Sequence, residues 1–164
     1  MELFLIRHGI ATERGIGIKD EERSLTEEGH QKTRKVAKRL FNLGLRFDLI
    51  LTSPLVRSRQ TAEILHSSGL SSKLEESSYL APDGRIQPWI DWLEQQQIQG
   101  SATQLAMVGH QPDLGQWAEI LVWGEARASL VVKKAGIIGL KLPETGSPVS
   151  RSQLFWLTPP KFLL

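Results

Sequence analysis

A three-layer α/β/α sandwich on a mainly parallel central sheet is the fold class this sequence predicts. Three observations carry it. Short apolar runs at 2–7, 47–53 and 104–110 each fit one buried strand. Helical stretches lie between them, the alternation expected of strand–helix–strand units. Two segments with β-branched and aromatic residues, 129–142 and 151–159, read as late strands.

Taken in order, ELFLIR at 2–7 is a first strand, and the Gly-rich, charged stretch 9–24 is a surface loop. LTEEGHQKTRKVAKRLFNLG then reads as a helix. Thr26 suits its N-cap, Glu27 and Glu28 its first turn, and Gly44 its far end. Val36, Leu40 and Leu43 have helical spacing. FDLILTS at 47–53 is the second strand. In the helix that follows, Ser53 is placed at the N-cap and Pro54 at the first helical position. DGRIQPWIDWLEQQQ is a weaker helix, disturbed by Pro88. QLAMVGH at 104–110 is the third strand and QPDLGQWAEILVWG the helix after it. No interior linker or repeat divides the chain, so residues 1–164 are expected to form one domain.

Composition narrows the function. Apolar residues make up 40% and charged residues 23%, with a formal net charge of +2. No basic run alternates with aromatics, so a nucleic-acid partner is not expected. No apolar run reaches the roughly 18 residues of a membrane span, and the N-terminus lacks a secretory pattern. A cytoplasmic protein is expected. Cysteine is absent, which excludes a catalytic thiol and a zinc–thiolate site. No cluster with metal-ligand spacing is present, and neither metal nor cofactor is expected.

Chemistry gathers where the strands end. The first ends in Arg7-His8-Gly9. The second ends in Thr52-Ser53-Pro54, with Arg57 in the next turn, and the third in Gly109-His110. In open α/β sheets ligands bind outside the carboxyl ends of the strands. Parallel strands would bring these groups to one edge. Guanidinium forks match phosphate oxygens, and a neutral imidazole can attack phosphorus. Neighbouring cations should keep His8 unprotonated. Gly9 would let the backbone pass close to a ligand. Arg57 and Arg59, two apart, point to different helix faces; Arg57 is assigned to the site and Arg59 to solvent. His30 and His66 read as structural or solvated, and the five tryptophans as packing residues.

RHG at the first strand, SPLVRSRQTAE after the second and GHQP after the third together resemble the histidine phosphatase, or phosphoglycerate mutase-like, superfamily. RSLTEEG at 23–29 and YLAPDG at 79–84 are similar to phosphohistidine phosphatases of the SixA type. The resemblance covers about the whole chain. It implies a phosphoglycerate mutase-like fold, with His8 as the phosphorylated nucleophile. Arg7 and Arg57 would bind phosphoryl oxygens, and His110 would complete the pocket. Arg23 would border the phosphate or the partner. Many relatives carry a glutamate general acid near the LAPDG stretch, where this chain has Pro82 beside Asp83.

A phosphohistidine expels imidazole, a better leaving group than an alkoxide, and needs less help from an acid. The first expectation is therefore a phosphatase acting on the phosphorylated histidine of a phosphotransfer or signalling protein. The second is a small-molecule phosphomonoesterase with Asp83 or Glu13 supplying the proton. The third is a non-catalytic phosphate-binding module. In all three, phosphate or another oxyanion occupies the pocket.

Overall fold

The computed structural model describes residues 1–164. Its elements run in the order β1 (Glu2–Arg7), α1 (Glu27–Asn42), β2 (Leu49–Thr52), α2 (Val56–Ser67), β3 (Leu74–Glu76), α3 (Ile86–Gln96), β4 (Gln104–Gly109), α4 (Asp113–Trp123), β5 (Ile137–Lys141) and β6 (Gln153–Thr158). The six strands form one sheet in the order β3-β2-β4-β1-β5-β6. β1 to β4 are mutually parallel, while β5 runs antiparallel to both β1 and β6.

The strands are apolar on both faces because both faces are covered. Leu3, Leu5, Leu105 and Met107 pack on one side with Trp89 and Leu93 of α3 and Leu114 and Trp117 of α4. Phe4, Ile6, Ala106 and Val108 pack on the other with Val36 and Leu40 of α1 and Ala62 and Leu65 of α2. Alternate residues of one strand thus serve two separate cores, as the two-residue period of a pleated strand dictates. The result is the three-layer sandwich expected.

α1 begins as its sequence indicates. The Gly29 N–H donates to Thr26 Oγ1 at 2.9 Å, and Gly44 takes φ +90° beyond the far end. Leu43 departs from the expected apolar stripe: it is the C-cap residue and is half exposed. α2 starts later than expected, with Leu55 rather than Ser53 at its N-cap. Pro88 does not disturb α3. It is the third residue of the helix, where no intrahelical acceptor awaits its missing N–H. The expected strand at 129–142 is correct only from Ile137; residues 129–136 form a loop whose Val132 is buried. β3 is an addition, three residues long with two glutamates, too short and polar for a period to register.

Candidate active site

Register brings His8 and His110 together. β1 and β4 pair in parallel with Arg7 opposite Gly109, and the ladder extends one step as the His8 N–H donates to the Gly109 carbonyl at 3.1 Å. The next residue on each strand is a histidine, and the two rings lie 5.3 Å apart. β2 flanks β4 on the other side, and the Ser53 N–H donates to the Val108 carbonyl at 2.9 Å. Three strand ends therefore converge on one cavity of about 310 Å³. Arg7, His8, Arg23, Arg57, Asp83 and His110 all line it.

His8 is held in one useful orientation. Its Nδ1 lies 2.7 Å from the Gly9 carbonyl, an acceptor, so Nδ1 carries the proton and Nε2 the lone pair. That lone pair accepts a hydrogen bond from Arg57 Nε at 3.3 Å. Burial, then the neighbouring His110, Arg57 and Arg7, pulls the His8 pKa down from 6.5 to about 3; the Gly9 carbonyl opposes this. The ring is neutral and nucleophilic throughout the neutral pH range.

His110 is fixed by serines. Ser53 Oγ accepts the Leu55 N–H at 3.2 Å and lies 2.8 Å from His110 Nε2, so its hydroxyl proton is free to go to that nitrogen. Ser58 Oγ is 3.4 Å from the same nitrogen. With Ser53 donating to Nε2, the proton sits on Nδ1, and Nδ1 is buried without a partner in the protein. It is a donor in want of an acceptor. Burial and the nearby Arg57 bring the His110 pKa down to about 4.

Arg57 is the second residue of α2 and is buried. One carboxylate gathers three arginines around it. Asp20 Oδ2 lies 3.3 Å from Arg57 Nη2, and Oδ1 lies 2.9 Å from Arg23 Nε and 3.5 Å from Arg14 Nε. The Asp20 backbone carbonyl accepts a further bond from Arg57 Nη1 at 2.8 Å. Although partial burial works against it, Arg57 and Arg23 hold the Asp20 carboxyl below its usual range. Arg23 also donates to the Thr12 carbonyl at 2.9 Å, tying the 9–24 loop over the cavity edge. Arg7 Nη1 donates to the Val132 carbonyl at 3.2 Å, while its buried Nε has no partner. Arg59 turns the other way, to Glu76 at 3.6 Å, and is half exposed.

Two expectations need correction. Gly9 does not line the cavity. A Cβ there would run into Thr33 Oγ1 of α1, so glycine answers a packing contact rather than a ligand. Its N–H donates to Thr61 Oγ1 at 3.0 Å and its carbonyl holds His8. Glu13 is exposed on the loop and does not line the cavity either. Asp83 does line it, but at an exposed position, with its backbone N–H donated to Asp113 Oδ2 at 2.9 Å.

Asp113, the first residue of α4, is a cavity residue too. Burial raises its pKa and the Asp83 carboxylate adds to the rise, against the hydrogen bond from Asp83. Nothing in the residue pattern singles out Asp20 or Asp113. The GHQPD run alone holds a hint, since an acid at the start of a helix after a strand end sits at the sheet edge. No group of three His, Cys, Asp or Glu side chains is placed to hold a metal ion, and no helix is long and apolar enough to cross a membrane.

Residues 3–79 match the family model described as histidine phosphatase superfamily (branch 1). The chain belongs to this superfamily. Its sequence is 46% identical over 165 residues to an uncharacterised protein of Picosynechococcus sp. (strain ATCC 27264 / PCC 7002 / PR-6), covering 100% of this chain and 99% of that protein. Its fold is similar to the protein histidine phosphatase SixA complexed with tungstate, with a TM-score of 0.85 and 25% identity over 100% of both chains. The alpha-ribazole phosphatase from Shigella flexneri shares the fold at a TM-score of 0.76, with 18% identity over 96% of each chain. The protein is thus a histidine-superfamily phosphatase on a phosphoglycerate mutase-like fold.

The buried histidines of this phosphatase make its stability pH-dependent. An unfolded histidine protonates near 6.5, whereas folded His8 and His110 do so only near 3 and 4. Between those values the unfolded chain binds protons that the folded chain does not, so stability falls as pH falls through this window. By pH 5 the loss is about 2 kcal/mol for each ring. Urea unfolding of wild type and His8→Ala at pH 7 and pH 5 measures it: the variant should lose less stability on acidification. Equal losses would show that His8 is not held neutral by the fold.

Proposed function

We propose that this phosphatase hydrolyses phosphohistidine on a protein through a phosphorylated His8. The observation that carries the reading is the His8 ring itself, its Nδ1 proton committed to Gly9 and its Nε2 lone pair facing Arg57 in a cationic cavity. His8 Nε2 attacks phosphorus, the bond from phosphorus to the substrate's imidazole nitrogen breaks, and that nitrogen leaves with the bonding pair. Arg7, Arg57 and the His110 Nδ1–H take the phosphoryl oxygens. Asp113 supplies the proton to the leaving nitrogen and, as a carboxylate, accepts one from the water that then attacks phospho-His8. Phosphate departs and the His8 lone pair is restored. Asp20 cannot serve as the acid because its arginines keep it ionised.

Similarity to SixA along both full chains supports a protein phosphohistidine as substrate. Asp113 is what favours the second reading, a phosphomonoesterase, since a cavity carboxyl whose pKa is raised by burial can also assist an alkoxide. The kcat/KM values for an imidazole-type phosphoramidate, an aryl phosphate and an alkyl phosphate separate the two. The expected order is phosphoramidate first, aryl second, alkyl last. Asp113→Asn should cost about 100-fold for the alkyl ester and far less for the phosphoramidate, with Asp83→Asn changing little. Alkyl phosphates as best substrates would make the protein a general phosphomonoesterase. A selective loss in Asp83→Asn alone would move the proton donor to Asp83. Failure to turn over any of the three would leave a phosphate-binding module.

A further inference from the structure

Beside the reaction cavity lies a second groove, of about 300 Å³, lined by Arg7, Ile10, Lys32, Lys133, Lys134 and Pro160 among others. Arg7 and Lys134 line both, so the groove continues from the place where the phosphoryl group would sit. Lys133 and Lys134 are exposed, and neither has a carboxylate within ion-pair distance, while Lys32 is paired with Glu28 at 3.0 Å. The two free ammonium groups stand on a fixed turn. The Ala135 N–H donates to both the Arg7 and His8 carbonyls at 3.1 Å, and the Arg7 N–H donates to the Gly136 carbonyl at 3.2 Å. The Gly136 N–H closes the turn on the Lys133 carbonyl at 2.7 Å. Ala135 takes φ +62° to allow this. The turn is thus bonded directly to the strand end that carries the nucleophile.

From this juxtaposition we infer that the groove is a docking site for an acidic segment of the phosphorylated protein, next in space to the phosphohistidine. The inference rests on the proposed protein substrate. Carboxylates of that segment meet Lys133 and Lys134, whose charges nothing on the chain neutralises, and an apolar side chain beside them covers Ile10 and Pro160. Rim charges of this kind act mainly on encounter and on KM, and their effect weakens with salt.

Synthetic peptides test it. Two histidine peptides, one flanked by Glu and Leu and one by Gln and Leu, are phosphorylated with phosphoramidate. Wild type should hydrolyse the acidic peptide with the lower KM. Lys133→Glu should raise that KM roughly five- to tenfold with little change in kcat, Lys133→Arg should restore it, and hydrolysis of free phosphoramidate should stay within about twofold. Fluorescence anisotropy with the unphosphorylated acidic peptide reads the groove independently of chemistry. It should show tighter binding than the neutral peptide, lost in Lys133→Glu. Equal binding of the two peptides to wild type overturns the docking site, whatever the enzyme hydrolyses. An equal effect of Lys133→Glu on free phosphoramidate overturns it too, because the lysine would then serve the phosphoryl group itself. If the acidic peptide binds in a Lys133-dependent manner but no phosphohistidine is cleaved, the groove stands and the phosphohistidine reading falls.

Discussion

His8→Ala is expected to abolish phosphoryl transfer, with a loss of about 10⁵-fold or more, the scale seen when a covalent nucleophile is removed. The fold should survive. The ring belongs to neither apolar core, and the β1–β4 ladder depends on backbone groups that alanine retains. Alkaline-quench labelling with a radioactive phosphoramidate checks the chemistry directly. Wild type should carry acid-labile label on His8, and the variant should carry none. Label retained in His8→Ala would place the nucleophile elsewhere, and His110 would then be the first residue to test.

Arg57→Ala should lower kcat by about 10²- to 10³-fold, corresponding to the loss of an oxyanion donor, while Arg59→Ala should change it little. The two side chains leave the same helix two residues apart, yet one is buried against His8 and Asp20 and the other meets Glu76 near the surface. An exposed pair of that kind contributes at most about 1 kcal/mol. Arg57→Lys keeps the charge but loses the fork, and should fall between wild type and alanine. Steady-state kinetics on p-nitrophenyl phosphate and phosphoramidate measure all three. Equal losses at 57 and 59 would mean that the helix face has been misassigned.

How legible the site is in the sequence depends on what places each residue. Arg7, His8 and His110 can be read because each follows an apolar run, and parallel strands carry their ends to one edge. Arg57 can be read because helical geometry fixes its direction relative to that edge. Ser53 shows the limit of local rules. As a serine before a proline it looks like a helix cap, but its hydroxyl is engaged with His110, and the helix starts two residues further on. Residues 130–132 look like strand because Leu, Val and Val favour one. They form a loop because the turn at Lys133–Gly136 is tied to β1 and the Val132 carbonyl is taken by Arg7. Asp20 is invisible for a different reason. It reaches Arg57 only because the 9–24 loop folds against the start of α2, and no local pattern encodes that meeting.

Asp20 has a consequence for how such a site can exist at rest. A guanidinium buried as Arg57 is would, on its own, be a costly uncompensated charge. Here the 9–24 loop furnishes an internal counter-ion, shared with Arg23 and Arg14. With Arg57 as the phosphoryl ligand proposed above, binding would be an exchange of anions rather than the filling of a bare cationic hole. The same exchange would run backwards when phosphate leaves, returning the carboxylate to the guanidinium. A site that grips oxyanions can in this way let its product go.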